Sequence, residues 1–588
     1  MPAPIMIRIN MRENRRRVTA HLTIYRMLVV AMIGLVVGTI SSFATIGFVE
    51  TVHWLNRVFY ITAESRAELP SNALWMITIL APTIGGLIVG LILRYGVNTR
   101  KSLGPPETIY AVQLRERLPD PISGAFSTLA AILSLGCGAS VGQYGPLVYL
   151  GSMVGQIANR LKLGVRDIRS TAIACGVAAA IATAFNAPIA GLIFTHEVIL
   201  RHYSLRIFTA VTVAAACGFI VANVVFEHPP LFFIEFTSQF HTSEFFLFAL
   251  EGLACGLLAV TFMKLLKIVG KFAGRLSIPA ASKPMIAGFV LGVIALQLPE
   301  VLGAGQDILH TASIPGSFSA GELTTVLLGK IFVTVLCIGF GFAGGIIFPA
   351  LLIGVLFGAL FAISVPELLL DEYSGLSVYA ICGMVAVASP VIGAPMTALL
   401  IIFELTRNYE ITIAAMVTVV FSNLVAYHWY GRSLFDNQLA DRGLDLSLGR
   451  DRAYLQHQHV VDYMTQVLPC VDIAATCGEL TDQFKSGSLQ TAVVIDTDGK
   501  YLGLLHQDQL SACNPESGIA SLELNQGLIF DETTSLWSAM QSMRDYIGEA
   551  VPVIDSVSGR YLGSMPESEV IGSYLDAVHD LRREEHEA

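Results

Sequence analysis

Charge is scarce in this chain. Only 14% of its 588 residues are Asp, Glu, Lys or Arg, against about a quarter in soluble domains. Hydrophobic residues make up 54%, and the mean hydropathy is +0.63, which excludes a wholly soluble protein. A basic excess is missing too: 36 basic residues face 46 acidic ones, for a net charge of −10. No whole-molecule field therefore favours nucleic acid, and no nucleic-acid partner is expected. The nine cysteines (137, 175, 217, 255, 337, 382, 470, 477 and 513) contain no CxxC pair. They read as reduced, buried or cytoplasmic thiols, with neither a disulfide frame nor a zinc site. A metalloprotease needs two histidines at i and i+4 on one helical face. Here His196-Glu197 is followed by His202, and six residues turn through about 600° onto another face. Metal chemistry, cofactors and enzyme activity are accordingly not expected.

What the chain has is a succession of apolar runs from Ile24 to Tyr430: 24–50, 72–95, 124–139, 168–184, 188–200, 205–226, 245–270, 282–298, 322–342, 347–364, 376–389 and 411–430. Several reach the ~20 residues that cross hydrocarbon; others are shorter and broken by Gly or Pro. Irregular backbone at membrane depth survives only inside protein or beside a watery cavity, and broken helices of this kind surround substrate sites in transporters. Residues 1–23 carry arginines at 8, 12, 15, 16 and 17. The apolar run that follows them is too long for a secretory leader, and the positive-inside bias holds this end in the cytoplasm.

An internal repeat runs through the apolar region. Gly142, Pro146, Gly151 and Gly155 recur in spacing as Gly345, Pro349, Gly354 and Gly358, 203 residues later. APIAGLIFTHE at 187–197 recurs as APMTALLIIFE at 394–404, each with a glutamate, Glu197 and Glu404, ten positions after its alanine. Two homologous halves follow, 24–226 and 245–436, with a site expected at their interface. Proline favours the first helical turn, so GQYGP and GGIIFP should each open a helix. Free N–H groups and positive dipole ends converging there make an anion site without any lysine or arginine.

After Asp436 the composition turns polar. VVIDTDGKYLGLL at 493–505 and VPVIDSVSGRYLGSM at 551–565 form a second repeat, displaced by 60 residues at KYLG and RYLG. Each copy reads as strand, Asp/Gly turn, strand, preceded by a helical stretch at 477–487 or 535–547.

These motifs resemble the CLC family of chloride channels and chloride/proton antiporters. GGIIFP at 344–349 is similar to the family's GxFxP, shifted by one at the aromatic, Phe348; FNAPIAG at 185–191 and FELTRNY at 403–409 are also family-like. The resemblance implies an all-α polytopic membrane domain of inverted repeats with broken helices, followed by a small α/β tandem CBS pair. The implied layout is a basic cytoplasmic terminus at 1–23, a membrane domain at 24–436, a linker at 437–456, and CBS units at 457–520 and 521–582.

The departures from the family pattern carry the functional information. Within Gly142-Gln143-Tyr144-Gly145-Pro146 the family's external gating glutamate falls on Tyr144. A phenol with reference pKa near 10 stays neutral at pH 7, so it cannot alternate between anion mimic and proton carrier. It could plug the pathway, donate its O–H to an anion, or simply pack. The internal proton glutamate falls on Val198, with Glu197 on the preceding acid. Intramembrane acids are functional candidates, but the repeat-related placement of Glu197 and Glu404 favours satisfying donors in each half. His196 would hydrogen-bond locally or relay protons. Ser102-Leu103-Gly104-Pro105-Pro106-Glu107 lies over the family's GSGIPE, leaving Ser102 or Leu103 at the serine position. Phe435 takes the terminal tyrosine's place. Backbone N–H groups of Ile346 and Ile347 then remain as main anion ligands. In the CBS copies the nucleotide-binding hydroxyl is replaced by His506 and Pro566, and the Asp by Gln509 and Glu569, with Asp508 one position early. Adenine nucleotide binding is left open there, behind a dimerising or coupling role.

The function that follows is a chloride channel or uncoupled passive anion transporter. The alternative is a chloride/proton antiporter with substitute proton groups. More distant are a membrane enzyme and a CBS-regulated divalent-cation transporter, which would want several inward acids per half where each repeated segment offers one. The resemblance implies a homodimer in lipid, in a bacterial inner membrane, with both termini cytoplasmic.

Overall fold

Backbone N–H and C=O groups in hydrocarbon must be paired within the protein, and this chain meets that demand with helices of very unequal length. The computed structural model describes residues 4–68, 70–158, 168–226, 244–365, 373–465, 468–486, 490–510, 513–546 and 548–586. It divides into two units, Met1–Gly443 and Leu444–Glu587. The division falls inside the stretch read from sequence as a linker.

Among the described residues of the first unit, eight helices are long and apolar enough to cross a membrane, from Met27–Val58 to Tyr409–Ala440. Five shorter apolar helices accompany them, including Pro121–Gly136, Pro188–Leu200 and Pro395–Thr406. Proline stands at the first position of each of these three, where its missing N–H costs nothing. The first helix runs unbroken over Pro4–Val58, so the compositional change near residue 24 is not a backbone boundary. Hydropathy gave no sign of two short helices, Pro105–Gln113 and Gln306–Ala312.

The repeat is visible in the packing. Helix Tyr144–Ala158 lies on helix Ile168–Phe185, and helix Ile347–Ser364 lies on helix Leu376–Ile392. The repeated glycines are the contact points: a Cβ on Gly151 or Gly155 would strike the backbone of Gly176 or Ala172, and on Gly354 or Gly358 that of Gly383 or Tyr379. Small residues let helix backbones touch, which is how membrane helices gain van der Waals energy without a hydrophobic driving force.

The halves meet at the two motif loops. Gly142 N–H donates to Gly345 O at 2.8 Å, and Gly345 N–H donates to Gly142 O at 2.6 Å. A Cβ on Gly345 would sit 2.7 Å from Gly145 N. The repeated glutamates cross between halves as well. Glu197 accepts from Met396 N–H at 3.0 Å, Thr397 N–H at 2.8 Å and Thr397 Oγ1 at 2.7 Å. Glu404 accepts from Ile189 N–H at 2.9 Å and Ala190 N–H at 2.7 Å. Each carboxylate thus caps the first turn of the other half's proline-initiated helix, so its donors lie across the repeat axis and not in its own half.

In the second unit the two copies build matching three-stranded sheets. Strands β1 (Cys470–Asp472), β2 (Thr491–Ile495) and β3 (Tyr501–His506) form one; β4 (Phe530–Asp531), β5 (Ala550–Ile554) and β6 (Tyr561–Pro566) form the other. The first two strands of each sheet are parallel and the last antiparallel. The parallel crossovers are the helices Cys477–Ser486 and Leu536–Met543; residue 487 of the expected first helix lies outside the described residues. The repeats pair through their KYLG and RYLG segments: Tyr501 N–H donates to Gly559 O and Tyr561 N–H to Gly499 O, both at 3.0 Å. Helix Arg450–His457 sends Leu455 into the second copy's core beside Phe530 and Val553.

One sequence expectation is corrected here. Cys477 and Cys513 are joined in a disulfide, so not all nine cysteines are free thiols. The crossover helix starts at Cys477, and the chain leaving β3 brings Cys513 back to it, a proximity that 36 residues of separation conceal.

Gly176→Val and Gly383→Val, which overpack the two equivalent seams, should each destabilise the membrane unit by about 1–3 kcal/mol or more, read as a lower melting temperature in detergent. Glu404→Ala and Glu197→Ala should each cost about 1.5–3 kcal/mol per charge-assisted bond lost in the same assay.

Candidate functional site

Four separated motifs are drawn to one cavity of about 890 Å³. Its walls include Ser102, Leu103 and Gly104 from the first motif, Gly145 from the second, Ile346 and Ile347 from the third, and Phe435. Charge on the wall is unbalanced: Arg94, Arg100, Lys101, Lys283 and Arg442 stand against Glu107 and Asp441. Both acids are held by cations, Glu107 by Arg442 at 2.5 Å and Asp441 by Lys267 at 3.3 Å. The remaining field favours an anion.

Helix Ile347–Ser364 opens on this cavity, and its first N–H groups have no intrahelical acceptors. The first motif is arranged otherwise. Leu103 N–H donates to Ser127 Oγ at 2.9 Å, and Gly104 N–H donates to Glu107 Oε2 at 2.7 Å. Those two amides are already satisfied, and Leu103 is buried while Ser102 is half-exposed. Phe435 is buried on the short helix Leu434–Ala440, whose N-terminus is capped by the Ser433 hydroxyl donating into Asp436 at 2.8 Å and accepting from its N–H.

A second cavity of about 450 Å³ is lined by Gln143, Phe185, Asn186, Thr183, Gln306 and His310, among others. Gln143 and Gly145, adjacent to Tyr144 on either side, therefore line different cavities. Tyr144 lines neither and is fully buried at the start of helix Tyr144–Ala158. Its ring stacks on Phe185, with centroids 3.7 Å apart and planes 12° apart, and Phe348 lies at 5.9 Å. All three rings are buried. Among the described residues the phenol oxygen makes no hydrogen bond of ordinary geometry, although the Gln143 side chain is beside it. Gly142, paired to Gly345, fixes the turn that aims Tyr144 at this point.

The candidate proton positions lie elsewhere. His196, Glu197 and Val198 sit on a π-turn, Thr195–Leu200, a local form common at functional sites. None of the three lines either cavity, nor does Glu404. His196 is buried, its Nδ1 is 3.0 Å from His202 O, and its ring stacks with Tyr203 at 5.1 Å. Val198 is buried and apolar.

Sequence reasoning missed Phe185 and Ser127. Phe185 was inside a quoted family-like segment, but only folding brings it onto Tyr144. Ser127, mid-helix with no motif, carried no local signal.

In the second unit His506 N–H donates to Gln509 Oε1 at 2.9 Å, and its ring nitrogen lies 3.1 Å from Thr491 Oγ1. Asp508 and Glu569 are exposed at the starts of helices Gln507–Leu510 and Glu567–His586. A 670 Å³ cavity there is lined by Trp537, Arg544, Glu567 and their neighbours, and by none of His506, Asp508 and Glu569.

Comparison with known proteins agrees with this geometry. The sequence model of the voltage gated chloride channel family matches residues 85–427. A ClcB-like chloride channel protein of Ralstonia nicotianae is 27% identical over 417 residues, covering 70% of this chain and 96% of the relative. An H(+)/Cl(-) exchange transporter, ClcA, of Vibrio parahaemolyticus is 29% identical over 437 residues, 71% of this chain and 90% of the relative. The crystal structure of a eukaryotic CLC transporter superposes with a TM-score of 0.61 at 17% identity, covering 92% of this chain and 98% of that one; it speaks for the fold. With a family match across more than half its length, a doubled membrane fold and a basic cavity at the repeat axis, the protein belongs to the voltage gated chloride channel family, the CLC anion channels and transporters.

Proposed function

We propose that this chain conducts chloride passively, with Tyr144 as the gate. The observation that carries the reading is the buried ring cluster of Tyr144, Phe185 and Phe348, in which Phe185 lines the second cavity while Gln143 and Gly145, on either side of Tyr144, line one cavity each. A neutral phenol at that point blocks an anion and cannot take up and release a proton near pH 7. Val198, which is buried, offers no proton group at the second position. An anion drawn into the basic cavity meets the amide end of helix Ile347–Ser364, favourable through its dipole. It advances when the rings part, and the phenol O–H, lacking a firm partner, can turn to donate to it. An apolar constriction of this type gates by dewetting.

The orientation that fits the positive-inside bias puts the basic cavity and both termini in the cytoplasm. The molecule is then a homodimer in a bacterial inner membrane with one pathway per subunit. The α/β repeat reads as a CBS pair that couples or dimerises subunits. Nucleotide is the weaker reading, because His506 is occupied by Gln509 and Thr491.

Proton exchange is the second reading. It is favoured by the ClcA relative's printed activity and by the buried His196 Nε2, which has no partner among the described residues.

The zero-current voltage of the purified protein in bilayers separates the two. It should sit at the chloride equilibrium potential and stay there when a pH gradient is imposed; a shift with pH overturns passive conduction. Tyr144→Ala should raise chloride flux by about tenfold or more, the equivalent of 1.4 kcal/mol off the barrier, while Tyr144→Phe should conduct less than wild type through loss of the O–H donor.

A further inference from the structure

Phe185 is the last residue of helix Ile168–Phe185, so the place of its ring depends on how that helix ends. It ends on Asn186, whose φ of 57° lies in the left-handed region. Asparagine is one of the few residues besides glycine that takes this conformation. Ala187 N–H reaches back to Ala182 O at 3.2 Å and closes the turn. The Asn186 carboxamide is engaged by a second element. Its Nδ2 donates to Asn223 Oδ1 at 2.9 Å, and Asn223 Nδ2 donates in return to Asn186 Oδ1. Asn223 Nδ2 also donates to Phe219 O at 3.0 Å, which anchors it on its own helix.

Asn223 stands on the π-turn Val221–Val225, which prolongs helix Leu205–Ile220. Widened turns of this kind gather at functional sites. Leu205–Val225 is one of the candidate spans, and the neighbouring Val224 and Val225 are exposed and apolar. A carboxamide on such a helix is costly unless another helix supplies its partner. The two helices already touch further back: a Cβ on Gly218 would lie 2.7 Å from Ala179 O, and Thr183 Oγ1 donates to Gly218 O at 3.3 Å. Those contacts set the course of helix Ile168–Phe185. The turn that follows Phe185 is held by the amide pair.

That turn belongs to the pathway. Phe185 and Asn186 line the second cavity, and the Phe185 ring is stacked on Tyr144. The two members of the stack are therefore fixed from different sides, Tyr144 by the Gly142–Gly345 loop pair and Phe185 by the turn at Asn186. We propose that Asn186 and Asn223 are positioning residues of the gate, their pair holding Phe185 against Tyr144 so that the stack parts more often when the pair is broken. The inference rests on the reading of Tyr144 as the gate. Both amides are neutral, so breaking the pair changes how often the stack opens and leaves the hold of the basic cavity on chloride as it was.

Chloride flux through the full-length protein in lipid vesicles, measured over a range of chloride concentrations, tests this. Asn223→Ala should raise the maximal flux about threefold, the worth of one interhelical hydrogen bond in a membrane, with the half-saturating chloride concentration unchanged. Asn186→Gly should do the same, and glycine there keeps the left-handed turn. The double variant should match the singles, because all three remove one and the same pair. In a Tyr144→Ala background Asn223→Ala should add nothing. A maximal flux that is unchanged or lower in the single variants overturns the proposal. So does a rise that persists undiminished in Tyr144→Ala, which is the mark of general loosening. Should Asn223→Ala not assemble, Asn186→Gly decides by the same criteria. Tyr144→Ala alone reports on the gate: if it leaves flux unchanged, that reading and this inference fall together, and if it raises flux while the asparagine variants do not, only this inference falls.

Discussion

Everything in the membrane unit depends on one pair of backbone hydrogen bonds, Gly142 to Gly345 and back. Two irregular loops at membrane depth cannot rely on water for their polar groups. Pairing them with each other solves that problem and places both helix N-termini beside one axis. Side chains would prevent the approach, since a Cβ on either glycine falls within 3.0 Å of the opposing loop. The cavity, the amide wall and the position of Tyr144 all follow from this contact.

The reciprocal caps of Glu197 and Glu404 extend the same logic. Helices that begin with proline in the interior leave N–H groups that something must accept. In each case the acceptor comes from the other half, so neither half satisfies its own backbone. Glu197 and Glu404 are thereby engaged in holding the repeats together. The symmetry is broken between the halves, because Glu197 stands on a π-turn while Glu404 stands on a regular helix.

Selectivity for charge and control of passage are assigned to different residues. On the proposed reading, the sign of the ion is set by excess arginine and lysine on the large cavity and by the end of helix Ile347–Ser364. In the passive reading proposed above, passage is controlled by three rings with no charge at all. On that reading, a phenol at Tyr144 with a basic approach keeps anion preference and supplies no group that exchanges a proton near pH 7.

The primary structure determined a good deal unaided. Low charge and closely spaced apolar runs dictated a membrane chain; the glycine and proline spacings, being repeated, dictated two halves and helix starts at Tyr144 and Ile347. The segments repeated around KYLG and RYLG likewise dictated two copies of helix, strand, turn and strand, while the short first strands Cys470–Asp472 and Phe530–Asp531 emerged only in the structure. Those are local or periodic properties, and periodicity survives in one dimension. Tertiary structure alone decided which partners meet: Phe185 on Tyr144, Ser127 on the Leu103 amide, Glu197 and Glu404 across the axis, and Cys477 with Cys513. The physical reason is that hydrogen bonds, stacking and burial act over a few ångströms in space, and hundreds of residues of chain can lie between the two groups they join.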